Sequence, residues 1–226
     1  MDKEAMQWID LSHAFGDAIP IPDWPGEKPQ NFELESYGVK VNSGLQQTMR
    51  LNLHCGTHVD APSHYAHGHA HVDGVDFREW IGECVIIDVE KSPLGMVSAD
   101  DLRPHEKLLR SAPMAFLSTG WERMWSTKDY GSKYPFLLPD AGQYLVDLGT
   151  KIIGLDTPGP DAPIASPYRK DDALHWIILR ADRLIIENLT NLRPLVGTKV
   201  YVHAVPINIK GAGGSPARVI CKKLPA

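Results

Sequence analysis

The chain predicts a mixed α/β (α+β) fold with a β-rich core, and three observations carry that expectation. Short apolar, β-branched runs outnumber amphipathic helical stretches. Only one part of the chain alternates strand, helix and strand, which argues against a regular doubly wound sheet. At 226 residues, with 43% hydrophobic and 23% charged side chains, there is apolar material for one full core. Residues 1–226 are therefore expected to form a single domain, without repeats or low-complexity linkers.

The elements follow from local chemistry. WIDL (8–11) is a short strand, and Pro20, Pro22, Pro25 and Gly26 make the segment up to Glu27 extended and turn-rich. Ser43 to Leu53 predicts a strand, and ECVIIDVE (83–90) a buried one, its β-branched run bounded by charges. At 98–111, Ser98 is a helix N-cap followed by acidic residues, and Pro104 limits the helix. MAFLST (114–119) and KIIGLD (151–156) are strands, and LPDAGQYLVDLG (138–149) between them is an amphipathic helix stopping at Gly149. DDALHWIILRA (171–181) predicts a helix, whereas RLIIENL (183–189) and KVYVHAVPIN (199–208) predict strands. GAGGSP (211–216) lacks the Lys-Ser/Thr of a phosphate loop and is expected to be a hairpin connection leading into ARVICKKL.

Composition excludes several classes. A net charge of −5 and a pI of about 6.0 offer no field for nucleic acid or an anionic membrane. No apolar run approaches the roughly 20 residues of a membrane span. The first residues show no apolar signal-peptide core. Cys55, Cys84 and Cys221 are odd in number and far apart, which disfavours a disulfide framework and a thiolate zinc site and makes a cytoplasmic location the expectation. No serine nucleophile elbow is present.

The chemistry concentrates in LHCGTHVDAPSHY (53–65). A helix would not gather its polar groups, and Gly56 and Pro62 oppose one. A flat strand would put His54 and Asp60 roughly 20 Å apart at about 3.3 Å per residue. Metal–ligand bonds of about 2.0–2.2 Å therefore require the chain to curl, most cheaply at Gly56. The spacing predicts a folded-back loop with His54, His58 and Asp60 as metal ligands. His13, His105 and His203 are expected to be ordinary core or surface histidines, and His67, His69 and His71 solvated loop residues. Cys55 is expected to be a small buried side chain. Glu187, in the apolar run IIENL, is a carboxylate whose burial would be costly without a partner.

HCGTHVDAPSH matches the HxGTHxDxPxH motif, and on it the chain resembles the cyclase-type metal-dependent hydrolases, which include bacterial kynurenine formamidases and isatin hydrolases. WIDLSH, DWPGE (23–27, with Glu27 in place of the usual aspartate), STGW (118–121), GLDTPGPD (154–161), IENLTNL (186–192) and INIKGAGGSPARVI (207–220) resemble further family blocks in the same order. The resemblance implies a swivelling β/β/α fold, His175 and Glu187 as further ligands, and a homodimer or higher oligomer. With five ligands, two of them carboxylates able to bridge, it implies one or two divalent ions, zinc or manganese. His64 is left either as a further ligand or as a proton shuttle; the resemblance makes it the catalytic acid/base. Trp24 is the candidate for stacking on a flat substrate, with Trp121 and Trp125 behind it.

The function expected is hydrolysis of a C–N amide bond in a small molecule, as in aryl formamides. The alternatives are lactam opening as in isatin, another hydrolase or lyase reaction on the same fold, or a non-catalytic metal-binding protein. No nucleic-acid or membrane partner is expected.

Overall fold

The computed structural model describes residues 8–16, 19–20, 32–37, 44–164 and 166–224. Trp24 and the DWPGE segment lie outside them. In chain order the strands are β1 (Trp8–Asp10), β2 (Phe32–Tyr37), β3 (Gln46–Leu51), β4 (His58–Asp60), β5 (Ile81–Asp88), β6 (Met96–Val97) and β7 (Met114–Ser118). They continue with β8 (Phe136–Leu137), β9 (Ile152–Leu155), β10 (Leu184–Glu187), β11 (Lys199–His203), β12 (Gly214–Pro216) and β13 (Ile220–Lys223). The helices are α1 (Ala99–Leu102), α2 (Glu106–Leu109), α3 (Pro139–Asp147) and α4 (Ala173–Arg180).

Nine of these strands form one sheet in the order β1-β13-β11-β5-β7-β9-β10-β4-β12. Its centre, β5-β7-β9-β10, is parallel, and every pairing outward from that centre is antiparallel. Each central strand alternates its side chains between two cores. Val85, Ile87, Ala115, Leu117, Ile153 and Ile185 pack against Leu102, Leu145, Leu174 and Ile178 of the helices. Ile86, Phe116, Ile152 and Ile186 point the other way and share a core with Val59, Val200 and Val202. Val59 and Val200 come from opposite wings of the sheet, so the sheet curls over this second core. A bridge from Ser12 to Leu189 and the bond from Thr190 N–H to the Leu11 carbonyl at 3.0 Å bring its β1 edge onto the end of β10.

The parallel centre contains three crossovers where the sequence showed one. Pro104 explains the first omission: it breaks the 98–111 segment into α1, a 3₁₀ turn at Arg103–His105, and α2, erasing the long helical period. The Ser98 cap is present, its N–H and hydroxyl both bonded to Asp101 Oδ2. Helix α3 ends before Gly149, whose φ is +83°.

GAGGSP is more than a turn. Pro206 and Ala217 do bridge in antiparallel fashion, but Gly214–Pro216 forms β12 and adds to β4, with Gly214 opposite Asp60. Glycine is required there, because a Cβ on Gly214 would fall 2.8 Å from Nδ1 of His54. The apolar neighbours on either side hide that requirement from a sequence pattern.

Candidate metal centre

The predicted curl is present. The chain turns at Gly56, whose φ of +61° lies in the left-handed region, then runs extended through β4 and enters a 3₁₀ turn at Pro62–His64. Alternation along β4 sends Val59 into the core and places His58 and Asp60 on the opposite face. In the β4–β10 pairing Glu187 lies directly opposite His58, so the strand register delivers a residue 129 positions away. His175 comes from α4.

His58 Nε2 lies 3.5 Å from Asp60 Oδ1 and 3.3 Å from Glu187 Oε2. His175 Nε2 lies 3.7 Å from Asp60 Oδ2 and 3.4 Å from Glu187 Oε1. Each carboxylate thus presents one oxygen to each imidazole. His54 Nδ1 is 2.7 Å from Asp60 Oδ1, which adds the fifth predicted residue to the cluster. His58, Asp60 and Glu187 bring donor atoms close enough to share one ion, and so do His54, Asp60 and His64.

Burial makes this arrangement expensive as it stands. Asp60 and Glu187 are 1% and 4% exposed, and His58 Nε2, Asp60 Oδ2 and Glu187 Oε1 are buried without a hydrogen-bond partner. Burial alone would raise the Asp60 carboxyl, but the imidazoles of His54 and His58 hold it well below its usual range. Burial, together with the charge of Asp60, pushes Glu187 up. His58 is driven to about 9 against its burial by the Asp60 and Glu187 charges. A nitrogen and oxygen donor set with three orphaned atoms turned inward fits divalent ions such as zinc or manganese.

The two imidazole rings are held from behind. A carbonyl only accepts, so the 2.9 Å contact between His58 Nδ1 and the Gly56 carbonyl puts the proton on Nδ1 and leaves Nε2 facing the carboxylates. Asn188, in a left-handed conformation with φ of +57°, donates to the same carbonyl at 2.8 Å. The Tyr130 hydroxyl, 2.9 Å away, donates to Asn188 Oδ1. His175 Nδ1 lies 2.5 Å from Asp161 Oδ2, and Tyr65 stacks on its ring at 4.7 Å. Asp161, Asn188, Tyr130 and Tyr65 were not singled out from the sequence. Asp161 closes the quoted GLDTPGPD block, the one signal that could have found it; the others are ordinary types whose roles arise from packing.

A cavity of about 440 Å³ opens over the cluster. Asp60, His175 and Glu187 line it together with Tyr65, Tyr134 and Ile164. His64 also lines it, its ring stacked 3.9 Å from that of His54. Burial pushes His64 down to about 4, so it is the free base at neutral pH. Trp121 and Trp125 do not line the cavity: Trp121 is buried with its indole N–H on the Tyr130 carbonyl, and Trp125 stacks on His13. His69 pairs with Asp182 at the surface, and His203 packs edge-on against Trp8. Cys55 is buried, as expected. Among the described residues, no helix is long and apolar enough to cross a membrane.

The Cyclase family model matches residues 9–162, more than half of the chain. The chain belongs to the Cyclase family. It is 29% identical over 220 residues to a kynurenine formamidase of Bacillus mycoides, covering 96% of this chain and 98% of that one. The kynurenine formamidase of Bacillus cytotoxicus is 27% identical over 221 residues, covering 98% and 100%. Isatin hydrolase A from Labrenzia aggregata superposes with a TM-score of 0.85 at 22% identity, over 95% of this chain and 93% of that one. A predicted metal-dependent hydrolase from Bacillus stearothermophilus does so with a TM-score of 0.75 at 19% identity, over 95% and 97%. These solved structures share the mixed α/β fold found here.

Proposed function

We propose that this Cyclase family protein is a metal-dependent hydrolase of non-peptide C–N amide bonds, with aryl formamides of the kynurenine formamidase type as its substrate class. The observation that carries the reading is the bridging geometry, in which Asp60 and Glu187 each offer one oxygen to His58 and one to His175. That arrangement would suit two divalent ions held by Asp60 and Glu187, with His58 serving one position, His175 the other, and His54 beside Asp60. When bound, such ions supply Lewis-acid polarisation of a carbonyl and acidify water.

The chain's own residues do the rest. His64 faces the cavity as a free imidazole and takes a proton from the attacking water, then returns it to the departing nitrogen. Tyr65, Tyr134 and Ile164 give the cavity apolar walls for an aromatic ring. Trp24 is the proposed stacking residue contributed by the Pro-rich N-terminal segment. Full-length similarity to the formamidases supports formamide over lactam as the substrate. The protein is proposed to work in the cytoplasm as a homodimer or higher oligomer.

The test is a panel of N-formylanilines, isatin and simple lactones, assayed after loading metal-stripped protein with zinc or manganese. Turnover of formylanilines that chelation abolishes and metal restores supports the reading. Preference for isatin by more than about tenfold, 1.4 kcal/mol in transition-state terms, overturns the substrate assignment. No hydrolysis of any member overturns the enzymatic reading.

A further inference from the structure

His58 and His175 face the same two carboxylates but are backed by different groups. Behind His58 is the neutral carbonyl of Gly56 at 2.9 Å, shared with Asn188 Nδ2. Behind His175 is a carboxylate, Asp161 Oδ2, at 2.5 Å. Asp161 is itself buried, and its other oxygen accepts the backbone N–H of Leu174 at 2.8 Å. One side chain therefore holds both the start of α4 and the edge of the imidazole, while the Tyr65 ring covers the imidazole face at an interplanar angle of 21°. A carboxylate behind a ligating imidazole fixes its tautomer and makes the ligating nitrogen more basic, and losing such a partner typically lowers metal affinity about 10–100-fold.

We propose that Asp161 is the positioning residue for one half of the centre: it orients His175 and selectively sets divalent-cation affinity at the position His175 serves. The inference rests on the two-ion reading above. Asp161→Asn is the informative change because both carboxylate oxygens are acceptors and an amide has only one. If the amide oxygen keeps the Leu174 N–H, the amide NH₂ faces His175 Nδ1 and drives the ring proton to Nε2. That atom faces Asp60 and Glu187, so cation binding there is blocked. If the amide turns the other way, its oxygen keeps the His175 backbone N–H but the Leu174 N–H loses its acceptor, and the negative charge is still gone.

The experiment titrates metal-free protein with cobalt(II), followed by visible absorption, and with zinc(II) against a chromophoric chelator. The wild type is expected to take two ions. In Asp161→Asn one binding step should weaken about 10–100-fold while the other is unchanged. Two ions in the wild type with both steps weakened alike, or with neither weakened, overturns the role of Asp161 and leaves the two-ion reading standing. Fewer than two ions in the wild type overturns that reading and this inference with it. An independent measurement needs no variant: ¹⁵N-resolved imidazole spectra of the metal-free wild type should show His175 protonated at Nδ1, with a far-downfield proton. An unprotonated Nδ1 refutes the proposal.

Discussion

Gly214 offers a clean perturbation of the centre from outside its own residues. Its φ is not in the left-handed region, so alanine is allowed by the backbone and the effect is purely steric. The added Cβ would lie 2.8 Å from Nδ1 and 3.0 Å from Nε2 of His54, against about 3.5–4.0 Å for an ordinary contact. Because Cε1 of the same ring lies nearer still, the ring must move by about 1 Å or more. It has little freedom, being 2.7 Å from Asp60 Oδ1 and stacked 3.9 Å from His64. Gly214 also lies in β12, paired to Asp60, so the backbone cannot retreat without loosening β4. Overpacking of this kind costs about 1–3 kcal/mol of stability. A displacement of about 1 Å at a reacting centre can lower turnover about 10²-fold. Gly214→Ala should therefore show a lowered urea midpoint, reduced metal content and a kcat down by about two orders of magnitude. Gly74→Ala is the control, since a Cβ there meets nothing closer than 3.8 Å. Wild-type stability, metal content and turnover in Gly214→Ala would refute the reasoning that β12 shapes the site.

Asp60→Asn should lose metal and activity together, because a charge facing both imidazoles disappears; full metal loading by elemental analysis would contradict this. His64→Ala should keep its metal and lose roughly 10²–10⁴-fold in turnover, with a smaller loss on activated anilides whose leaving group needs less protonation. An equal loss on both substrates with reduced metal would make His64 a ligand. Asp156 is buried, and that burial raises its carboxyl from 3.8 to about 6 despite bonds from Thr119 N–H and Oγ–H and Trp121 N–H. The folded state then holds a proton that the unfolded chain releases, so stability present below pH 3.8 is lost as pH rises through 6. The wild type minus Asp156→Asn stability difference should fall by about 3 kcal/mol between these limits, measured by urea unfolding at each pH; a flat difference would mean that folding does not raise the Asp156 carboxyl.

Spacing alone announced the curled loop, because His54, Gly56, His58, Asp60 and Pro62 lie within nine residues and local stereochemistry dictates how they fold. The β-rich character and the limits of the helices at Pro104 and Gly149 were legible for the same reason: caps, breakers and alternation act within a few residues. The other half of the centre was not legible from local chemistry. His175 sits on a helix and Glu187 on a strand; resemblance to known proteins marked both as ligands, and local chemistry offered only the apolar run around the Glu187 carboxylate. Strand register decides that Glu187 stands opposite His58, and the packing of α4 decides that His175 faces the same carboxylates. Asp161 and Gly214 were hidden more deeply. A carboxylate after a proline and a glycine in a glycine-rich turn have many uses, and only the folded chain brings one to 2.5 Å from His175 and the other against the ring of His54. Ligand types and bends are encoded by neighbours in sequence. The bridging of two imidazoles by two carboxylates is a product of long-range pairing, which no local pattern carries.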